Sequence, residues 1–293
     1  MFVLEDIQTK DGFIHQGLVA YPQLSSDTVL IWVHGLTGTF YGNSQLIRFL
    51  ASESTKNGYT FATFNSRGHD MISGFKKVDE NDPKGYTYAT IGAGYEVFEE
   101  STYDLDSQIL FFRNKGYKKI ILLGHSSGAN KVSYYAGLTN NEYISGVVLL
   151  CPMSDRLDPR GNSEDREENL KKCHALVEQG RGNALVTGIY FFPMTAERYI
   201  SLVSPNTSED QFDYGDKIPN MEQFKHITCS LLVLFAENDE YADRPVGEIK
   251  NVFDSMQNSS KYLSKVIPNS LHNLANHEES VMSDILTWMR KIA

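Results

Sequence analysis

The chain has 293 residues, with 37 acidic against 27 basic side chains, a net charge of −10 and a pI near 5.3. That balance argues against a surface that tracks nucleic-acid phosphates or adheres to an anionic membrane, and no run approaches the ~20 apolar residues that span a bilayer. The three cysteines, Cys151, Cys173 and Cys229, are odd in number and include no CxxC pair, and MFVLEDIQTKDGF carries acids where a secretory leader carries bases, so a cytoplasmic protein is expected.

In chain order, Phe2 to Ile7 and Phe13 to Ala20 flank TKDG and predict an opening antiparallel hairpin. Short apolar runs then follow at 28–33, 59–64, 118–123, 145–150, 230–236 and 261–267, each of strand length. Between several of them lie segments of helical period. Leu46, Ile47 and Leu50 mark one helix, Leu105, Ile109 and Phe112 a second, and Ile249, Val252, Phe253 and Met256 a third. In the last helix Val281, Ile285, Leu286 and Met289 form one stripe, with Asn276 and Glu279 placed like a capping box. Strands that are continuously apolar and alternate with helices predict an α/β fold: a mostly parallel doubly wound sheet, carrying an N-terminal antiparallel hairpin, within a single domain over 1–293.

Residues 155–225 break this rhythm, because they separate two strands by far more than the usual connection of about 2–6 residues. SEDREENLKKCHALVEQG reads as a helix ended by Gly180, and TAERYISLV as another after Pro193. The segment is expected to be an inserted cap. Its YFFPM stretch offers Tyr190, Phe191, Phe192 and Met194 as candidate substrate contacts, or equally as an apolar underside packed on the core.

Chemistry concentrates in GHSSG, residues 124–128. GxSxG alone is a weak signal; here a buried strand feeds into it and a helix with Ala129, Val132 and Ala136 on one face leaves it. Glycines on both sides permit the sharp turn that lifts the central side chain above the sheet. A serine needs a base, and the base an orienting acid. In an open α/β sheet these gather at the carboxyl ends of strands. The strand SLLVLFA runs into Glu237-Asn238-Asp239-Glu240, and KYLSKVI into Pro268-Asn269-Ser270-Leu271-His272. The assignment is Ser126 as nucleophile, His272 as general base and Asp239 as orienting carboxylate.

With His34-Gly35-Leu36 after one strand, Asn65-Ser66-Arg67-Gly68-His69 after the next, the elbow, the acid turn and the final histidine in this order, nearly the whole chain resembles the α/β-hydrolase superfamily of serine esterases and lipases. The resemblance implies an oxyanion hole made of the backbone N–H groups of Leu36 and Ser127. PMTAERYISL, EDQFDYGD and LLVLFAENDEYAD are further similar to a branch that includes fungal siderophore ester hydrolases.

Rival assignments are Ser127 for the nucleophile; Glu237, Glu240, Asp243 or Asp155 for the acid; and His277 for the base, although His277 is expected in the first turn of the final helix, facing outward. His125 reads as support beside the sheet, His69 and Arg67 as a structural turn, and His34 as shaping the oxyanion loop. Without HExxH or clustered cysteines no metal is expected; Gly38 and Gly42 lack a phosphate-loop context, so neither nucleotide nor other cofactor is expected. The expected function is hydrolysis of a small soluble carboxylic ester through an acyl-enzyme on Ser126. The alternatives are a thioesterase with the same triad and a non-catalytic ligand-binding protein of this fold.

Overall fold

The computed structural model describes residues 2–24, 27–159 and 165–292. β1 (Phe2–Gln8) and β2 (Ile14–Ala20) form the expected antiparallel hairpin, turned at Gly12 with φ of 94°. β3 (Thr28–Val33), α1 (Ser44–Lys56) and β4 (Thr60–Phe64) follow; every residue of β3 and β4 is buried, because helices cover both of their faces. A second hairpin, β5 (Ser73–Val78) with β6 (Tyr86–Ile91), stands apart from the main sheet and was not expected from sequence.

α2 (Ser101–Asn114), β7 (Lys119–His125), α3 (Ser127–Thr139) and β8 (Ile144–Leu150) continue the alternation. Between β8 and the next strand of the sheet lie α4 (Arg166–Glu178), the two-residue pair β9 (Leu185–Val186) and β10 (Met194–Thr195), and α5 (Ala196–Val203). Ser163 and Glu164, the expected start of α4, lie outside the described residues. Gly180, at φ of 70°, ends α4 as expected. Thr195 caps α5 by accepting the Arg198 N–H at 3.1 Å. β11 (Ser230–Ala236), α6 (Val246–Met256), β12 (Tyr262–Ile267) and α7 (Glu278–Ile292) complete the chain.

The eight-stranded sheet has the order β1-β2-β4-β3-β7-β8-β11-β12, parallel from β4 to β12 and antiparallel where β2 meets β1 and β4. One apolar layer joins the sheet to α2, α3 and α6, and the other joins it to α1 and α7. Phe192, Met194, Tyr199, Leu202 and Cys173 form a separate core within the β8–β11 segment, closed against Ala93 and Leu36 of the sheet domain. At the start of α7 the structure corrects the expected cap. Asn276 sits at φ of 65° before the helix, and its N–H is bonded by Glu278, one residue earlier than the Glu279 of the expected box. Among the described residues no helix is long and apolar enough to cross a membrane.

Candidate active site

Five neighbouring strands, β3, β7, β8, β11 and β12, bring their carboxyl ends to one place. At the end of β7, Ser126 takes φ 56° and ψ −132°, a conformation that costs a side-chain-bearing residue of order 1–3 kcal/mol and persists only when surroundings enforce it. Here they do. The Leu150 carbonyl accepts from Ser126 N–H at 3.0 Å, and the Ser126 carbonyl accepts from Ala129 N–H at 2.7 Å. The flanking glycines answer to close approach: a Cβ on Gly124 would lie 2.4 Å from the Gly128 carbonyl oxygen, and one on Gly128 2.2 Å from that of Val33. The Ser126 side chain makes no capping bond to α3 and lines a pocket of about 190 Å³ together with His272, Leu36 and Tyr241.

The two serines are separated by their hydrogen bonds. Ser127 Oγ donates to the Asp155 carboxylate, 3.0 Å from both oxygens, so its hydroxyl is engaged away from His272. As the first residue of α3, Ser127 has a backbone N–H with no intrahelical acceptor. Asp155 is thereby drawn to α3 instead of to the histidine. Burial and the nearby Glu209 push its pKa up to about 7, against the lowering effect of the Ser127 hydroxyl.

His272 Nδ1 meets both oxygens of Asp239 at 2.9 and 2.8 Å, and both residues are buried. A carboxylate at Nδ1 fixes the ring proton there and leaves Nε2 as a lone pair. Nε2 has no hydrogen-bond partner among the described residues. Asp239 also accepts from Tyr241 N–H at 3.0 Å, and the Tyr241 ring lies 4.3 Å from the imidazole. The rival acids have other work. Glu240 accepts from His272 N–H at 3.0 Å, Glu237 accepts from Asn269 N–H at 2.7 Å, and Asp243 pairs with Arg244. His277 is half-buried, precedes α7 instead of lying in its first turn as expected, and turns its Nδ1 to the Ala275 carbonyl.

His125 does more than pack. Its ring stacks on Trp32 at 5.6 Å, and Nε2–H donates to the His272 carbonyl at 2.8 Å, which ties the elbow to the histidine loop. Burial lowers its pKa to about 3, so it stays neutral and keeps the donating tautomer.

On the opposite side of Ser126 lies the HG loop. A Cβ on Gly35 would stand 2.8 Å from Ser126 Cβ and 3.3 Å from its Oγ, so only glycine lets this backbone approach. His34 organises the loop. Ser66 N–H donates to its Nε2 at 3.1 Å, which leaves Nδ1–H to donate to the Gly35 carbonyl at 2.9 Å. Burial, with Lys131 nearby, lowers the His34 pKa to about 3. The 65–69 turn that supplies Ser66 is fixed in turn by Arg67, which pairs with buried Asp104 through Nε and Nη2 at 3.0 and 2.9 Å. His69 Nδ1–H donates to the Ser66 carbonyl, 3.1 Å away, within the same turn.

Among the residues of the YFFPM stretch, Phe192 and Met194 are buried core, Tyr190 is half-buried and Phe191 is 65 % exposed. Leu36 packs on the same cluster. Sequence reading missed a buried ionic group behind it. Arg198 on α5 forks onto Glu209, donates through Nε to the Ala93 carbonyl at 2.9 Å and reaches Glu96 at 3.5 Å; Glu96 pairs with Lys131 of α3 at 2.6 Å. Burial would raise the Glu96 pKa, but Lys131 and Arg198 outweigh it and hold it below the usual range. The only sequence signal was one arginine in the otherwise apolar stripe of α5.

Comparison with known proteins agrees with this architecture. A family model described as protein of unknown function (DUF1749) matches residues 85–290. A UPF0613 protein of Schizosaccharomyces pombe is 27 % identical over 214 residues, covering 63 % of this chain and 67 % of its own. A Mycoplasma genitalium protein, named provisionally as an esterase/lipase, is 23 % identical over 194 residues, covering 60 % and 66 %. Among solved structures, the siderophore hydrolase EstB from Aspergillus fumigatus superposes with a TM-score of 0.69 at 16 % identity, covering 100 % of this chain and 98 % of its own. The fold is that of the α/β-hydrolases.

Proposed function

The chain belongs to the DUF1749 family of proteins of unknown function, and from its site geometry we propose that it is a serine hydrolase of small carboxylic esters. The observation that carries this reading is the buried Asp239–His272 pair: its Nε2 has no hydrogen-bond partner among the described residues, and His272 lines one pocket with the strained Ser126. The esterase and hydrolase names of the Mycoplasma and Aspergillus proteins support it.

In the proposed reaction His272 Nε2 takes the proton of Ser126 as Oγ attacks the ester carbonyl. The tetrahedral oxyanion is held by the N–H groups of Leu36 and Ser127, each worth about 3 kcal/mol in such sites. The imidazolium, stabilised by Asp239, then protonates the departing alcohol. Water, activated by the same nitrogen, releases the acid from the acyl-enzyme. The β8–β11 segment serves as a cap, with Tyr190 and Phe191 its candidate substrate contacts. A pocket of about 190 Å³ equals roughly six waters of liquid volume, which favours short acyl or alcohol groups.

The test is labelling of the purified chain by a fluorophosphonate probe and turnover of a nitrophenyl acetate. Ser126→Ala should abolish both, and Asp239→Asn should lower kcat by about 10⁴ through the wrong imidazole tautomer. Absence of labelling and turnover in the wild type, or full activity in Ser126→Ala, overturns the reading.

A further inference from the structure

The residue that follows β8, Cys151, is fully buried and holds φ of 48°, its N–H bonded to the Leu234 carbonyl at 2.8 Å. Its thiol, a carboxylate oxygen of Asp239 and a ring nitrogen of His272 all lie within 4.8 Å of one another. These three groups come from the ends of three adjacent strands, β8, β11 and β12, so no local sequence spacing marks them. Sulfur, nitrogen and oxygen donors at one point are the ligand set of a zinc-type ion.

We propose that Cys151, Asp239 and His272 form an inhibitory site for a thiophilic divalent cation such as Zn²⁺ or Cd²⁺. Bond lengths of about 2.0–2.3 Å imply ligand-to-ligand separations of about 3.3–3.7 Å around a tetrahedral ion. The observed spacing brackets this: Nδ1 and Oδ2 stand at 2.8 Å and the full set within 4.8 Å, so small side-chain shifts complete the site. Of the three ligands, His272 is the one that also lines the pocket beside Ser126.

The charge balance suits burial. A divalent cation with one thiolate and one carboxylate is neutral overall, so no net charge is left in the low-dielectric interior. On binding, the ion takes the His272 Nδ1 lone pair in place of the proton shared with Asp239. That proton moves to Nε2, and the thiol proton leaves to solvent, one proton released per ion. With Nε2 protonated, the imidazole has no lone pair to offer Ser126. The inhibition therefore rests on the proposed hydrolase mechanism, whereas the binding does not.

The test uses Cd²⁺ as a spectroscopic probe and Zn²⁺ as inhibitor on the full chain. Cd²⁺ should give an ultraviolet thiolate charge-transfer band that saturates at one ion per chain, is retained in Cys229→Ala and is lost in Cys151→Ala. Zn²⁺ should suppress ester turnover at least tenfold, reversed by a chelator, and Cys151→Ala should need about ten times more ion or beyond. Cys151→Ser, close in size, repeats the comparison if the alanine variant folds poorly. No band, or a band that survives in both Cys151 variants, overturns the site, irrespective of whether the chain hydrolyses esters. Equal inhibition of wild type and variants overturns the link to catalysis.

Discussion

Gly35→Ala tests the oxyanion side of the site most directly. The added methyl would stand 2.8 Å from Ser126 Cβ and 3.1 Å from the His125 carbonyl oxygen, whereas carbon atoms rest at about 3.5–4.0 Å. The HG loop must therefore retreat by about 1 Å, because the elbow is fixed by its own hydrogen bonds and by α3. A displacement of that size costs about 100-fold in rate, or about 2.7 kcal/mol, comparable to the loss of one oxyanion donor. The assay is kcat for a nitrophenyl acetate, with thermal unfolding measured in parallel. Gly247→Ala is the control: nothing lies within 4 Å of its would-be Cβ, in the first turn of α6. It should leave kcat unchanged and add roughly 0.5–1 kcal/mol of stability. If Gly35→Ala kept kcat within about threefold of wild type, the HG loop would not be the positioned donor described above.

Ser127→Ala removes the hydroxyl bonded to Asp155 but not the backbone N–H, so kcat should stay within about tenfold, while Ser126→Ala should lose at least about 10⁴; equal losses would reverse the two roles. Asp155, with its pKa raised to about 7, binds a proton more tightly folded than unfolded, so its contribution to stability is full below about pH 4 and is lost as pH rises through 7. Asp155→Asn should therefore gain Tm relative to wild type between pH 5 and 8, and a constant difference over that range would refute the placement. Arg198→Met leaves Glu209 uncompensated and should cost about 3–5 kcal/mol, lowering Tm by on the order of 10 °C. Adding Glu209→Met should restore much of it, and additive losses in the double variant would contradict a direct pair.

The parallel strands were legible because TVLIWV or SGVVLL, buried on both faces, can hardly be anything else. GHSSG, the Asp239 turn and the His272 loop were legible because each follows such a strand directly. The β5–β6 hairpin was not, since SGFKKV and YTYATI carry mixed exposure and bury little beyond Phe75, Ile91 and Phe13. The cap of α7 was misplaced by one residue because Asn276 adopts a left-handed turn before the helix instead of capping it. Glu96, Lys131, Arg198 and Glu209 were invisible as a group. They are scattered along the chain, and each alone reads as a solvated charge until the β8–β11 segment folds back over α3.

That buried ionic group bears on how substrate enters and product leaves. Opening the β8–β11 segment as a hinged lid would draw Arg198, together with its partner Glu209, away from Glu96 and the Ala93 carbonyl, breaking a buried pair at a cost of about 3–5 kcal/mol. Traffic should instead pass at fixed backbone through the pocket beside Ser126, whose lining includes the exposed Asn43. The amides of α5 should then exchange with solvent as slowly as those of the central strands, because the roof and the floor of this site can only come apart together.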